Sequence, residues 1–205
     1  MLFERVLAWL PFATLAAMMV ASRLWAVAMR RQGVRVIVWG RSGKEYLYDK
    51  LLGFVFLFWL YLLLADAWPL SLAWLPEWLT MELVVALPAK LVGALLLIAA
   101  PALFAGAVRS LGTSWRMGVD RQTPGPLVTT GLFAWSRNPI YAAFDLTFVG
   151  AFLIHGRVVY LLLAVVLVLL LHGIILREER FLAERFGEAF AEYCRRVGRY
   201  GVRRR

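Results

Sequence analysis

The chain has one cysteine, Cys194, one asparagine, Asn138, and two histidines, His155 and His172, in 205 residues. A lone cysteine excludes an internal disulfide and a cysteine-based zinc site. It reads as an inert residue on a tail helix. The only asparagine precedes Pro139, so no glycosylation sequon exists. The histidines are too isolated to suggest a metal site, and none is expected. His172 lies seven residues before Glu179, two turns along the same helix face, and reads either as a histidine bonded inside the helix pack or as a site residue. No GxGxxG, Walker A or HExxH motif is present, and a Rossmann cofactor domain has no room. Charge is scarce as well: 18% of residues are charged.

What fills the chain instead is apolar. Hydrophobic residues make up 62% and mean hydropathy is +0.71. Apolar runs approach or exceed the ~18–20 residues that span a bilayer. These features predict an all-α, polytopic transmembrane protein with every backbone group satisfied inside helices. Five spans are expected, near 6–29, 51–67, 83–108, 139–154 and 158–176, with Pro88 and Pro101 as kinks in the third. The first resembles a signal peptide in its greasiness, but its far flank, Arg30 and Arg31, is the more basic one, so it reads as a mature helix. Val34 to Trp39 is a short β-branched run suited to the interface. Trp68, Trp74 and Trp78 suit an aromatic belt. The fourth and fifth spans, joined at His155-Gly156-Arg157, form a helical hairpin. After it, Phe181, Leu182, Phe186, Phe190 and Tyr193 recur at three-to-four spacing, the mark of an amphipathic tail helix. The chain divides into a three-helix membrane portion, 1–107, and a C-terminal portion, 108–205.

The net charge of +10 does not imply nucleic acid, because the basic residues sit where membrane topology wants them. The 30–50 loop, the loop before Pro139 and the tail from Arg177 onward are arginine-rich. The other ends carry only Arg5, Lys90 and Arg157. The positive-inside rule then gives a cytoplasmic C-terminus and an outside N-terminus.

Two stretches carry chemistry. Gly131 to Tyr141 reads Gly-Leu-Phe-Ala-Trp-Ser-Arg-Asn-Pro-Ile-Tyr and puts Arg137, Asn138, Pro139 and Tyr141 at the mouth of an apolar helix. Pro139 is a good first helical residue. Glu178 and Glu179 are adjacent carboxylates at the end of the next apolar helix, so the basic and acidic groups share the cytoplasmic side. Such a face suits a charged, water-soluble cofactor beside a lipid-soluble substrate. Guanidinium forks suit carboxylates and phosphates, although an arginine here also serves as a positive-inside anchor. Asp145 follows Tyr141 by four residues on one helix face. An intramembrane carboxylate is a site candidate, or else one half of a structural pair with Arg23 or His172.

In this order, the motifs resemble the membrane methyltransferases of the isoprenylcysteine carboxyl methyltransferase type and their phospholipid methyltransferase relatives. That family's pattern is a Gly-x-[Tyr/Phe] lead, Arg-His-Pro-x-Tyr opening a helical hairpin, Glu-Glu, and a Phe-Gly…Tyr tail. Here these are Gly131-Leu132-Phe133, Arg137-Asn138-Pro139-Ile140-Tyr141, Glu178-Glu179, and Phe186-Gly187 with Tyr193. Leu111 to Arg116 also looks like bacterial members. The match covers roughly residues 108–200. The resemblance implies S-adenosylmethionine as cofactor in a cytosol-facing pocket, and a lipid-like or prenylated acceptor entering from the bilayer. It implies that Arg137, Asn138 and Tyr141 line the pocket, that Pro139 shapes its mouth, and that Glu178 or Glu179 meets the cofactor's amino or ribose groups. Arg137, Asp145 and Glu179 are then the expected catalytic residues, and a bacterial inner membrane the expected location. Asn138 replaces the histidine of eukaryotic members; it keeps donor and acceptor functions but cannot titrate near neutral pH. Two other classes stay open. One is an NADPH-dependent reductase of the sterol reductase type, which resembles the same C-terminal half. The other is a non-catalytic membrane protein.

Overall fold

A computed structural model describes residues 2–31, 33, 44–68, 70–114 and 125–201. The interfacial run Val34–Trp39, the basic residues Arg35, Arg41, Arg116 and Arg121, and Arg203–Arg205 lie outside the described residues.

The described residues are helical between short connectors: α1 (Leu2–Arg31), α2 (Lys44–Ala67), α3 (Glu77–Thr80), α4 (Leu87–Leu111), α5 (Pro139–His155), α6 (Val158–Phe186) and α7 (Glu188–Arg196). Two 3-10 turns, Gly112–Ser114 and Gly131–Ala134, join them. No strand occurs among the described residues; Glu82 and Arg157 form an isolated antiparallel bridge. Among the described residues four helices are long and apolar enough to cross a membrane: Glu4–Arg31, Tyr46–Ala67, Leu87–Ser114 and Val158–Phe186. Their outward side chains, Leu24, Phe54, Leu95 and Leu169 among them, are exposed and apolar, as lipid-facing surfaces require. The fourth expected span is the shorter α5, whose 17 residues reach ~25 Å at 1.5 Å per residue, less than a ~30 Å hydrocarbon core.

Three expectations about helix ends are corrected. Pro88 does not kink a span, because α4 begins at Leu87 and places this proline in its first turn, where no N–H is needed. Pro101 does lie inside α4. The last apolar helix does not stop near Leu176. No glycine or proline occurs between Leu176 and Gly187, which adopts φ +51°, so α6 carries Glu178, Glu179 and the first part of the tail as one continuous helix. The separate amphipathic helix is the shorter α7.

The chain forms two compact units. The first comprises residues 1–16, 41–100 and 144–171. In it Thr14 donates to the Leu97 carbonyl at 2.8 Å, and Leu7, Leu97 and Ile154 pack together. Gly93 and Gly150 let α4 and α5 approach closely: a Cβ on Gly150 would stand 2.9 Å from the Gly93 oxygen. The α5–α6 turn is made at Gly156, with φ +69°. Its carbonyl accepts from the Leu83 and Val84 amides at 2.7 and 3.1 Å. Beside this turn Asp66 accepts from Tyr160 at 2.7 Å and pairs with His155 Nδ1 at 3.1 Å and with Arg157. The second unit comprises residues 17–40, 101–143 and 172–205. Its apolar centre is Phe190, Tyr193 and Val197, packed against Leu182 and Phe186.

Candidate active site

The site is built where the loop before α5 meets the end of α6 and the segment after α7, all within the second unit. Gly131 opens the loop with φ +62°, and a Cβ there would collide with Ser110. The Ser110 hydroxyl accepts the Leu132 amide at 3.2 Å and donates to the Gly106 carbonyl at 2.8 Å. The following 3-10 turn buries Phe133, whose carbonyl accepts the Tyr193 hydroxyl at 2.7 Å. Burial of that phenol pushes its pKa above the usual range.

Ser136 and Asn138 are both buried, and both are tied to the chain after α7. Ser136 Oγ donates to the Arg199 carbonyl at 3.0 Å and accepts the Asn138 amide at 3.1 Å. The Arg137 amide donates to the Gly198 carbonyl at 3.0 Å. Pro139 then starts α5, where its missing N–H costs nothing, and the Asn138 carbonyl accepts the Ala142 amide at 3.0 Å.

The side chains converge on two carboxylates. Glu179 Oε1 accepts from Arg137 Nε at 3.2 Å and from Asn138 Nδ2 at 3.3 Å, and it pairs with Arg137 Nη2 at 3.0 Å. Glu179 Oε2 takes Arg199 Nη2 at 2.6 Å, while Arg199 Nε lies 3.1 and 3.2 Å from the two oxygens. This contact holds the Arg199 guanidinium above its ordinary pKa. Glu178 Oε1 instead accepts the Tyr141 hydroxyl at 2.7 Å. The adjacent glutamates thus differ in kind: Glu179 sits between two guanidiniums, and Glu178 is held by a phenol.

These residues line a cavity of about 210 Å³. Arg137, Asn138, Pro139, Tyr141, Glu178 and Glu179 form its polar side. Phe133, Phe181, Leu182, Phe186, Phe190 and Tyr193 form an apolar, largely aromatic side. Six of the seven expected site residues are therefore gathered at one cavity. The seventh, Asp145, belongs to the first unit and does not line it; its Oδ1 is buried without a hydrogen-bond partner. His172 meets the Tyr200 hydroxyl at 2.8 Å. Among the described residues no cluster of three or more His, Cys, Asp or Glu residues suits a metal ion.

Sequence reasoning missed Ser136 and Arg199. Arg199 looks like one more basic residue in an arginine-rich tail, and nothing local marks it as the partner of a glutamate 20 positions away.

Chemically, the cavity offers positive charge from Arg137 for an anionic group, the Glu178 carboxylate for a cation or hydroxyl, and aromatic faces for a planar ring. No curated protein matches the chain. Residues 89–189 match the family model of phospholipid methyltransferases. That stretch contains the apolar hairpin, Arg137 to Tyr141, Asp145 and both glutamates, and over it the chain is similar to the phospholipid methyltransferases.

Proposed function

We propose that this protein transfers a methyl group from S-adenosylmethionine to a lipid-like or prenylated acceptor at the cytoplasmic face of a membrane. The observation that carries this reading is the cavity itself, in which a guanidinium, two differently held carboxylates and an aromatic wall converge at the start of α5. The donor set fits the cofactor. Arg137 suits its α-carboxylate, Glu178 its ammonium or ribose hydroxyls, and the phenylalanine-rich side its purine. When bound, S-adenosylmethionine supplies an electrophilic methyl group on a sulfonium.

The chain's residues then have to orient and desolvate. Asn138 and Pro139 fix the mouth of α5 and hence the direction of Tyr141. The Tyr141 hydroxyl, donated to Glu178, orients that carboxylate toward the cavity it lines. The aromatic side excludes water, which favours approach geometry over elaborate acid–base machinery. An anionic acceptor needs no base. An ammonium acceptor has to lose a proton first, and Glu178, whose carboxylate lines the cavity, is assigned that task. The 108–205 portion is read as the methyl-transferring part, on five spans in a bacterial inner membrane with the C-terminus in the cytoplasm. Reporter fusions after Arg205 and within 68–78 should report opposite sides, and finding both on one side refutes five spans.

The activity is tested by incubating the purified protein with methyl-labelled S-adenosylmethionine and a total bacterial lipid extract. Label is expected in the organic phase, and Glu178→Gln should lower its rate of appearance. No labelled lipid from any extract, with the donor bound, would refute a lipid acceptor.

A further inference from the structure

Arg199 lies outside the stretch that matches the family model, yet it makes the shortest contact to the central carboxylate. Resting on the methyl-donor reading above, we propose that Arg199 is a positioning residue: by neutralising Glu179 it leaves Arg137 free to bind the carboxylate end of the ligand in the cavity.

The charges around Glu179 do not balance within the triad. One carboxylate faces two guanidiniums, Arg137 and Arg199, leaving one positive charge in excess. Glu178 is the other charged group on the cavity wall, and its Oε1 is taken by Tyr141. The two arginines hold Glu179 unequally. Arg199 approaches Oε2 at 2.6 Å and spans both oxygens, whereas Arg137 reaches only Oε1, at 3.0 and 3.2 Å. The remaining nitrogen of Arg137, Nη1, makes only long contacts of 3.4 and 3.5 Å to the Val197 and Cys194 carbonyls. Arg137 is thus the less tightly held of the pair, and it is the one that lines the cavity. An incoming carboxylate can draw it away while Arg199 keeps Glu179 paired.

Arg199 is itself held in place on both sides. Its own carbonyl accepts from Ser136 at 3.0 Å, and the next residue, Tyr200, meets His172 at 2.8 Å. Without the Arg199 guanidinium, Glu179 would rely on Arg137 and Asn138 alone. Any anionic ligand would then compete with Glu179 for Arg137, and leaving a buried carboxylate unpaired is costly.

The test compares S-adenosylmethionine with its decarboxylated form, which keeps the ammonium, sulfonium and adenosine, by calorimetry on the full chain in detergent. Arg199→Gln is expected to weaken S-adenosylmethionine about tenfold, the scale of one charge-assisted hydrogen bond. It should leave the decarboxylated form within about twofold, a difference at the level of a weak surface contact. Arg199→Lys, which keeps the charge but not the fork, should fall between Arg199→Gln and wild type. Equal weakening of both ligands, or of neither, overturns the proposal and leaves Arg199 a fold residue. So does a wild type that binds the two forms equally well. A wild type that binds neither removes the methyl-donor reading and this inference together, whereas binding with unselective loss removes the inference alone.

Discussion

Replacing Glu179 with alanine removes the one carboxylate that two arginines share. The side chains of Glu179 and Arg137 are 14% and 12% exposed, and that of Arg199 is 33% exposed. Removing one member of a fully buried pair costs ~3–5 kcal/mol, while an exposed pair contributes no more than ~1 kcal/mol. The Arg199 contact is discounted toward the lower figure, because that guanidinium can rehydrate. Arg137 falls back on the Cys194 and Val197 carbonyls at 3.5 and 3.4 Å, which are poor substitutes. A loss of about 2–4 kcal/mol follows from combining the two scales. For a chain of this length each kcal/mol moves the melting temperature by ~2–4 °C, so a drop of roughly 5–15 °C is expected. Thermal unfolding in detergent, followed by tryptophan fluorescence, is the assay. Glu178→Ala, which loses the bond from Tyr141, should cost less than Glu179→Ala. A Glu179→Ala protein as stable as wild type, or a Glu178→Ala protein that is the less stable of the two, would refute the assignment of Glu179 to the buried network.

Other outcomes follow from the packing and the charges. Gly150→Ala puts a Cβ 2.9 Å from both the Gly93 oxygen and Leu97 Cγ, so overpacking should destabilise by ~1–3 kcal/mol; an unchanged melting temperature would mean the helices can part there at no cost. Asp66→Ala should destabilise more than Tyr160→Phe, because it strands Arg157 and His155 as well as the phenol; the reverse order in thermal unfolding would contradict that. Burial raises the Cys194 thiol, with Glu179 adding to the rise and Arg137 opposing it, so less thiolate is present at neutral pH. A maleimide should therefore label folded protein more slowly than unfolded protein at pH 7, and equal rates would show the thiol to be unperturbed.

The sequence made the helices legible wherever composition decides them. Runs of Leu, Val and Ala have few other ways to satisfy their backbone in lipid, and Pro139 marks the start of α5 to the residue. Helix ends set by one residue were less visible. The continuation of α6 through Glu179 depends on there being no glycine or proline between Leu176 and Gly187, and apolar periodicity alone does not register that. The site was legible as far as the motif residues reached: Arg137 to Tyr141 and the two glutamates do share one cavity. The partners that fix those residues were not. Arg199 stands 20 positions from Glu179, and Asp66 stands 91 from Arg157 and 94 from Tyr160. Pairings between elements so distant leave no local pattern, because they depend on the packing that brings the elements together. His155, which looks isolated in the sequence, has Asp66 as its partner for the same reason.

The central claim is that the cavity lined by Arg137 and Glu178 takes a methyl donor. Calorimetric titration of the detergent-solubilised protein with S-adenosylmethionine and, separately, with NADPH tests it most directly. Wild type should bind S-adenosylmethionine and not NADPH. Arg137→Ala should weaken that binding by roughly ten- to a hundredfold, the equivalent of ~1.5–3 kcal/mol for a charge-assisted hydrogen bond. Arg195→Ala, which alters only the exposed pairing with Glu188 and Glu192 on α7, should leave it unchanged. Binding of NADPH without S-adenosylmethionine would transfer the site to a reductase, and binding of neither would leave the family resemblance without the activity.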